Sequence, residues 1–248
     1  MREALAAGRT LPEAYHLALT LLSEQGEITP CPDYHTTQRE LSMTLWVQEP
    51  LGEPMISKLF IGGYRELEQY RQEMLDGILD FEIERGNWAY TYHSRMAPQI
   101  PFILRELRRN PESRRAVVDV RDWMHDSAEG NENPACLQHL QFFIRDGKLS
   151  LDVLFRSNDA CKATFMNAFA LIQLQKRIAD ELGAEMGTYT HRANSFHCYE
   201  RDFPMLEGYL RRIRSGEEIT FDYVGEWEDM MIEARPEIAA AVEELRNR

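Results

Sequence analysis

The sequence contains no apolar run approaching the roughly 20 residues that a membrane-spanning helix needs, so no such helix is expected. The first ten residues, Met1 to Thr10, carry no apolar core, and no secretory leader is expected either. The four cysteines, Cys31, Cys136, Cys161 and Cys198, form no C-x-x-C pair, and no histidine spacing completes a zinc motif. Reduced thiols in a cytoplasm, with no bound metal, are the expectation. No repeat, low-complexity segment or long linker divides the chain, which predicts one domain over residues 1–248. Lysine is also scarce: 4 residues, against 24 arginines.

The balance of 28 basic against 41 acidic side chains is −13. Long-range repulsion at that charge excludes general binding to DNA, RNA or an anionic membrane. The arginine excess has two readings. One is an ordinary charged surface. The other is a small anion site, because a guanidinium grips phosphate through a planar fork. Between Arg105 and Arg121, six arginines face three acids, a local excess of +3. A hydrophobic share of 44% is enough for a full-sized core.

Periodicity predicts helices over Arg2–Gln25, Tyr64–Leu79, Ile100–Arg109, Thr164–Leu182, Phe203–Ile213 and Pro236–Arg246. Strands are predicted over Arg39–Val47, Ala116–Val120, Cys136–Ile144 and Leu149–Phe155, the last two joined by an Asp146-Gly147 turn. Pro30–Thr37 reads as a loop, Gly183–Thr188 as a linker and Tyr189–Tyr199 as an extended, mixed polar and aromatic segment. The fold class is α/β (α+β), a mixed sheet packed by helices.

Several residues could carry chemistry. Cys136 follows a Pro turn at a loop-to-strand junction, where a thiol could face a cleft and, near cations, act as a nucleophile. A buried structural cysteine is the alternative. Arg156 and Ser157 end a strand and could clamp a phosphate, although a salt-bridged arginine would look the same. Asn167 sits among Phe165, Met166 and Phe169, where its amide either reads a ligand edge or satisfies backbone. His197 and Tyr199 share one side of an extended segment and could hold a sugar hydroxyl or pack as core rings. Glu66 is a single carboxylate on the Tyr64–Leu79 helix.

The order and spacing of these residues are more specific than any one of them. Cys136 to Arg156 is 20 residues, Arg156 to Asn167 is 11 and Asn167 to His197 is 30. With Ser113-Arg114-Arg115 upstream, the chain resembles the thymidylate synthase family, strongly over 110–203 and partially over 64–92. The resemblance implies that Cys136 attacks carbon 6 of dUMP and that 5,10-methylenetetrahydrofolate, as cosubstrate, supplies the one-carbon unit. It implies that Arg156 and Ser157 hold the phosphate, Arg156 also lowering the thiol pKa. Arg114 and Arg115 would reach the phosphate of a neighbouring subunit, which implies a homodimer formed through the sheet face. Arg39 would be a further phosphate ligand. Asn167 would read the uracil edge and His197 with Tyr199 the 3′-hydroxyl. Glu66 would move protons at the base, Tyr92 would stand near the proton on carbon 5, and Asp159 would contact the folate.

The chain departs from the family pattern at three places. Leu137 follows the cysteine where the family has histidine. Ala163-Thr-Phe-Met-Asn167 replaces Gly-x-Pro-Phe-Asn, and Leu245–Arg248 is polar where the family has an apolar tail. These features look more like the shorter archaeal-type synthases and the phage hydroxymethylases. Hydroxymethylation of dUMP or dCMP, and a non-catalytic nucleotide-binding homologue, are the two rival expectations.

Overall fold

A computed structural model describes all residues, 1–248. The first half runs β1 (Glu3–Gly8), α1 (Leu11–Gln25), β2 (Glu27–Cys31), β3 (Thr36–Val47), β4 (Ile56–Ser57), α2 (Tyr64–Asp76), α3 (Phe81–Glu84), α4 (Tyr92–Met96) and α5 (Ile100–Arg109). The second half runs β5 (Val117–Asp119), α6 (Trp123–Asp126), β6 (Leu137–Arg145), β7 (Lys148–Asp159), α7 (Thr164–Leu182), β8 (Glu185–Tyr199), α8 (Phe203–Ser215), β9 (Thr220–Phe221) and α9 (Glu228–Arg246). Seven strands form one mixed sheet in the order β1-β3-β8-β7-β6-β5, with β2 added to β3.

The centre of the sheet is the parallel pair β7–β8, joined by α7. Parallel neighbours need a crossover, and a 19-residue helix supplies it. Both its neighbours are antiparallel: β6 pairs with β7 and β3 with β8. The carboxyl ends of β7 and β8 therefore meet the amino ends of β6 and β3 at one edge of the sheet. Asp159 pairs with His197 there, and Gln38 with Tyr199.

A bulge in β8 decides which side chains face that edge. Tyr189, His191 and Ala193 are buried in strict alternation. Leu41 then pairs with Phe196 but Met43 with Ala193, so β8 uses three steps where β3 uses two. The extra residue inverts the alternation. Phe196 and Cys198 take the core side, which leaves His197 and Tyr199 for the opposite one.

The structure corrects the sequence reading at four points. Residues 3–8, expected as helix, form β1, parallel to Ser42–Val47. The helix begins only at Leu11, with Pro12 in its first turn. Strand and helix pack so tightly that a Cβ on Gly8 would lie 2.4 Å from the Ala14 nitrogen. The expected loop 30–37 begins as the end of β2, Pro30 pairing with Thr37. The expected linker 183–188 is largely strand, because Glu185 pairs with Lys148 and extends β8. Finally, α9 begins at Glu228 and takes Pro236 into its interior. The 146–147 turn matches expectation: Asp146 and Gly147 both have positive φ between the paired Arg145 and Lys148.

The C-terminal helix is latched by a buried carboxylate. Glu68 on α2 accepts from Arg71 Nε and Nη2, both at 2.8 Å, and from Arg235 Nε of α9 at 2.7 Å. Burial alone would raise its pKa, but the Arg71 contacts and those from Gln72 and Arg235 outweigh it, and the net direction is down. The stability this contributes is present above the ordinary carboxylate pKa and lost as pH falls through the depressed one. Glu68→Ala should destabilise the fold by about 3 kcal/mol in urea titration at neutral pH, since it breaks a buried ion pair and leaves Arg71 with only Asp76, at 3.5 Å, as counter-charge. The difference from the parent should shrink as the pH is lowered into the acid range.

Candidate active site

The edge where β6, β7, β8 and β3 meet opens into a cavity of about 1060 Å³. Cys136 stands at the entry to β6, and its carbonyl accepts from the Arg156 backbone N–H at 2.8 Å. The Arg156 guanidinium turns back onto the same loop, donating from Nε to the Ala135 carbonyl (3.0 Å) and from Nη2 to the Pro134 carbonyl (2.7 Å). One side chain thus fixes the loop that carries the thiol and sets positive charge beside it. Burial pushes the Cys136 thiol up and Arg156 pulls it down, with the net direction up. The expected sign of the Arg156 effect is present, but desolvation is larger.

Tyr92 is the first residue of α4, and its hydroxyl accepts from the Leu137 N–H at 3.4 Å, beside the thiol. Burial, with the neighbouring Cys136, raises its pKa well above the ordinary phenol value, so it is a neutral hydroxyl. Asn167, in the first turn of α7, is 4% exposed. Its Oδ1 accepts from the Tyr70 hydroxyl, and its Nδ2 donates to Asn158 Oδ1 at 3.1 Å. Tyr70, Asn158 and Asn167 all reach the cavity wall.

His197 Nδ1 lies 3.3 Å from the Ser195 carbonyl and 3.5 Å from Ser157 Oγ. Its Nε2 is buried and unpaired. Burial lowers its pKa, so the ring is neutral. With Nδ1–H donated to the carbonyl, Nε2 is a bare acceptor suited to a ligand hydroxyl. Tyr199 packs edge-on against His197, with ring centres 4.7 Å apart, and Tyr34 packs on Tyr199 at 5.3 Å. Asp159 Oδ1 accepts the Cys161 and Lys162 amides at 2.9 and 2.8 Å, which fixes the carboxylate at the wall.

Eight of the residues singled out from the sequence therefore share one cavity: Cys136, Tyr92, Arg156, Ser157, Asn167, His197, Tyr199 and Asp159. Four lie outside it. Glu66 is exposed, and its carboxylate accepts the Gly63 N–H at 2.8 Å, closing the start of α2. Arg39 donates to the Ser23 carbonyl in the last turn of α1 and stacks over Phe203. Arg114 and Arg115 are exposed on the loop before β5, with only their backbones hydrogen-bonded. Within one chain, Arg156 is the sole arginine or lysine of a wall that also carries Asp33, Glu132 and Asp159.

Among the wall residues that sequence reasoning missed, Tyr70 and Asn158 bond directly to Asn167. Tyr70 gives no signal beyond being a helical tyrosine, since its partner is 97 positions away. Asn158 could have been found from its place between Ser157 and Asp159 at the end of a strand.

The thymidylate synthase family model matches residues 65–230. A protein of Methanocaldococcus jannaschii named "Putative thymidylate synthase" is 30% identical over 208 residues, covering 81% of this chain and 93% of that protein. One of the same name from Methanosarcina barkeri is 27% identical over 212 residues, covering 84% and 95%. The thymidylate synthase of Bacillus licheniformis is 31% identical over 147 residues, 58% of this chain and 51% of that protein. The solved structure of thermostable thymidylate synthase A from Bacillus subtilis superposes with a TM-score of 0.63 at 16% identity, over 82% of this chain and 84% of that one.

The competition between burial and Arg156 can be read from thiol reactivity. The rate of Cys136 alkylation by iodoacetamide, taken as the difference between the parent and Cys136→Ser, should rise with a midpoint above that of a free cysteine, about 8.5. Arg156→Ala should move the midpoint further up, since the cation that favours thiolate is gone.

Proposed function

The chain belongs to the thymidylate synthase family, and on that premise we propose that it converts dUMP and 5,10-methylenetetrahydrofolate to dTMP and dihydrofolate. The observation that carries this reading is the convergence of a thiol, a guanidinium, an amide and an imidazole acceptor on one cavity. The Cys136 thiolate adds to carbon 6 of the uracil, and the electron pair moves to carbon 5. Carbon 5 bonds to the folate methylene as the methylene's bond to N10 breaks and N10 takes up a proton. Loss of the carbon 5 proton, beside the Tyr92 hydroxyl, and departure of tetrahydrofolate leave an exocyclic methylene. Hydride from tetrahydrofolate reduces that methylene, and the Cys136 sulfur leaves with the carbon 6 bond pair.

Binding roles follow from what each group can donate or accept. Asn167 pairs with the base edge, His197 Nε2 and Tyr199 take the 3′-hydroxyl, and Arg156 and Ser157 take phosphate oxygens. Asp159 faces the pterin ring. Glu66 and Arg39 already have partners elsewhere and are not assigned. A wall with three carboxylates and one guanidinium is a poor phosphate site by itself. Arg114 and Arg115, unpaired in their own chain, are therefore proposed to complete it from a second copy, which makes the working unit a homodimer.

The test is to incubate the protein with dUMP and methylenetetrahydrofolate and follow dihydrofolate absorbance and product mass. Product heavier than dUMP by one CH₂, together with dihydrofolate, is expected. A hydroxymethylated product without dihydrofolate would overturn the reading. Cys136→Ser should lower turnover by about 10³-fold or more while dUMP still binds in calorimetry.

A further inference from the structure

Asn167 does not stand alone. Asn158 Nδ2 contacts His191 Nε2 at 2.8 Å, and His191 Nδ1 contacts the Tyr189 hydroxyl at 2.9 Å. A continuous buried chain thus runs from Tyr70 through Asn167, Asn158 and His191 to Tyr189. Its inner members are shut off from solvent: Asn158 is 3% exposed, and His191 and Tyr189 are fully buried. His191 is further held by stacking on Phe155, with centroids 4.7 Å apart and planes 14° apart. None of these three side chains has a role in the reaction as derived above.

The chain has a direction. Burial pushes His191 down to about 3, so the ring carries one proton at neutral pH. Asn158 Nδ2 can only donate, so His191 Nε2 accepts and the proton sits on Nδ1, facing the Tyr189 oxygen. Asn158 is then held with Oδ1 toward Asn167. That oxygen accepts from Asn167 Nδ2, while Tyr70 donates to Asn167 Oδ1. Turning the Asn167 amide over would set its Oδ1 against Asn158 Oδ1, two acceptors face to face, while the Tyr70 hydroxyl can donate or accept. One acceptor site on its oxygen and one N–H remain for a ligand.

This matters because uracil and cytosine present opposite orders on the same edge. Uracil offers the O4 acceptor beside the N3–H donor. Cytosine offers the N4 amine donor beside the bare N3. An amide free to turn over can pair with either, whereas one fixed in place pairs with one. We propose that Asn158, His191 and Tyr189 are positioning residues that hold the Asn167 amide one way up and so make the site take uracil nucleotides and refuse cytosine nucleotides. The proposal rests on the reading of Asn167 as the base ligand.

The experiment is calorimetric binding of dUMP and dCMP to the full-length protein and to three variants, with circular dichroism as the check on folding. The parent should prefer dUMP. His191→Phe keeps the ring on Phe155 but removes the acceptor for Asn158, and should lower the ratio of dCMP to dUMP dissociation constants by about tenfold or more. Asn158→Ala should do the same, and it decides the matter if His191→Phe does not fold. Asn158→Asp keeps an acceptor facing Asn167 Nδ2 and should retain the ratio to within about threefold. An unchanged ratio in folded His191→Phe or Asn158→Ala overturns the proposal, as does an equal loss in Asn158→Asp. A parent that binds dCMP as well as dUMP overturns it at once. A parent that binds neither nucleotide removes the dUMP reading itself, and the relay's role with it.

Discussion

One extra residue in β8, opposite Ser42, governs the whole site. Without it His197 and Tyr199 would share the parity of Tyr189, His191 and Ala193 and point into the core. With it, the upper part of the strand supplies buried members of a polar chain and the end of the strand supplies cavity wall. The bulge has this effect because β8 is central, gripped by parallel β7 on one side and antiparallel β3 on the other. A slip at either seam would flip side chains along the entire edge. The α7 crossover anchors the same geometry, since Asn167 in its first turn is held over the strand ends by Asn158 of β7.

The electrostatics follow from how few cations this edge has. The arginines are mostly spent elsewhere. Arg71 and Arg235 hold Glu68, Arg95 holds the buried Asp126 at 2.7 Å, and Arg39 caps α1. The −13 of the chain is therefore not relieved at the cavity by its own arginines, apart from Arg156. Arg156 spends two of its donors on loop carbonyls, which ties the thiol's loop to β7. Its charge favours the thiolate, and the burial of Cys136 opposes and outweighs it. A doubly charged phosphate would find one guanidinium, Arg156, among the side chains of the cavity wall.

Much of the scaffold was legible because its signals are local. The hairpin at Asp146-Gly147 and the helix over Thr164–Leu182 need only turn chemistry and 3.6-residue periodicity. Residues 3–8 were not legible, because an alanine-rich run fits a helix until a distant strand offers its edge. The Pro236 boundary misled for the opposite reason: tertiary contacts of Met231, Ala234 and Ile238 carry α9 through a proline that local rules treat as a start. In the site, the resemblance carried by the ordered spacing of Cys136, Arg156, Asn167 and His197 pointed to eight residues that line one cavity. Glu66 and Arg39 came from the family resemblance, and in this chain each has a partner outside the cavity. Their neighbours Gly63 and Ser23, which engage them, carry no chemical signal in the sequence.

The substitution of Leu137 for the family's histidine gains a physical context from the sheet. Leu137 pairs with Phe155, both are fully buried, and His191 stacks on Phe155 from the next strand. The Leu137 side chain is therefore part of the buried apolar core. The buried polar atoms lie further along β7, in Asn158, and on β8, in His191 and Tyr189, where each finds a partner in the next. Such a network is stable only when its members are satisfied together, so its position is tied to the amide of Asn167 at its open end. The Leu137 backbone keeps a polar task all the same, since its N–H donates to Tyr92 and holds that hydroxyl beside the thiol. The apolar side chain and the polar main chain of one residue thus separate the apolar flank of Cys136 from the hydrogen-bonded flank of the cavity.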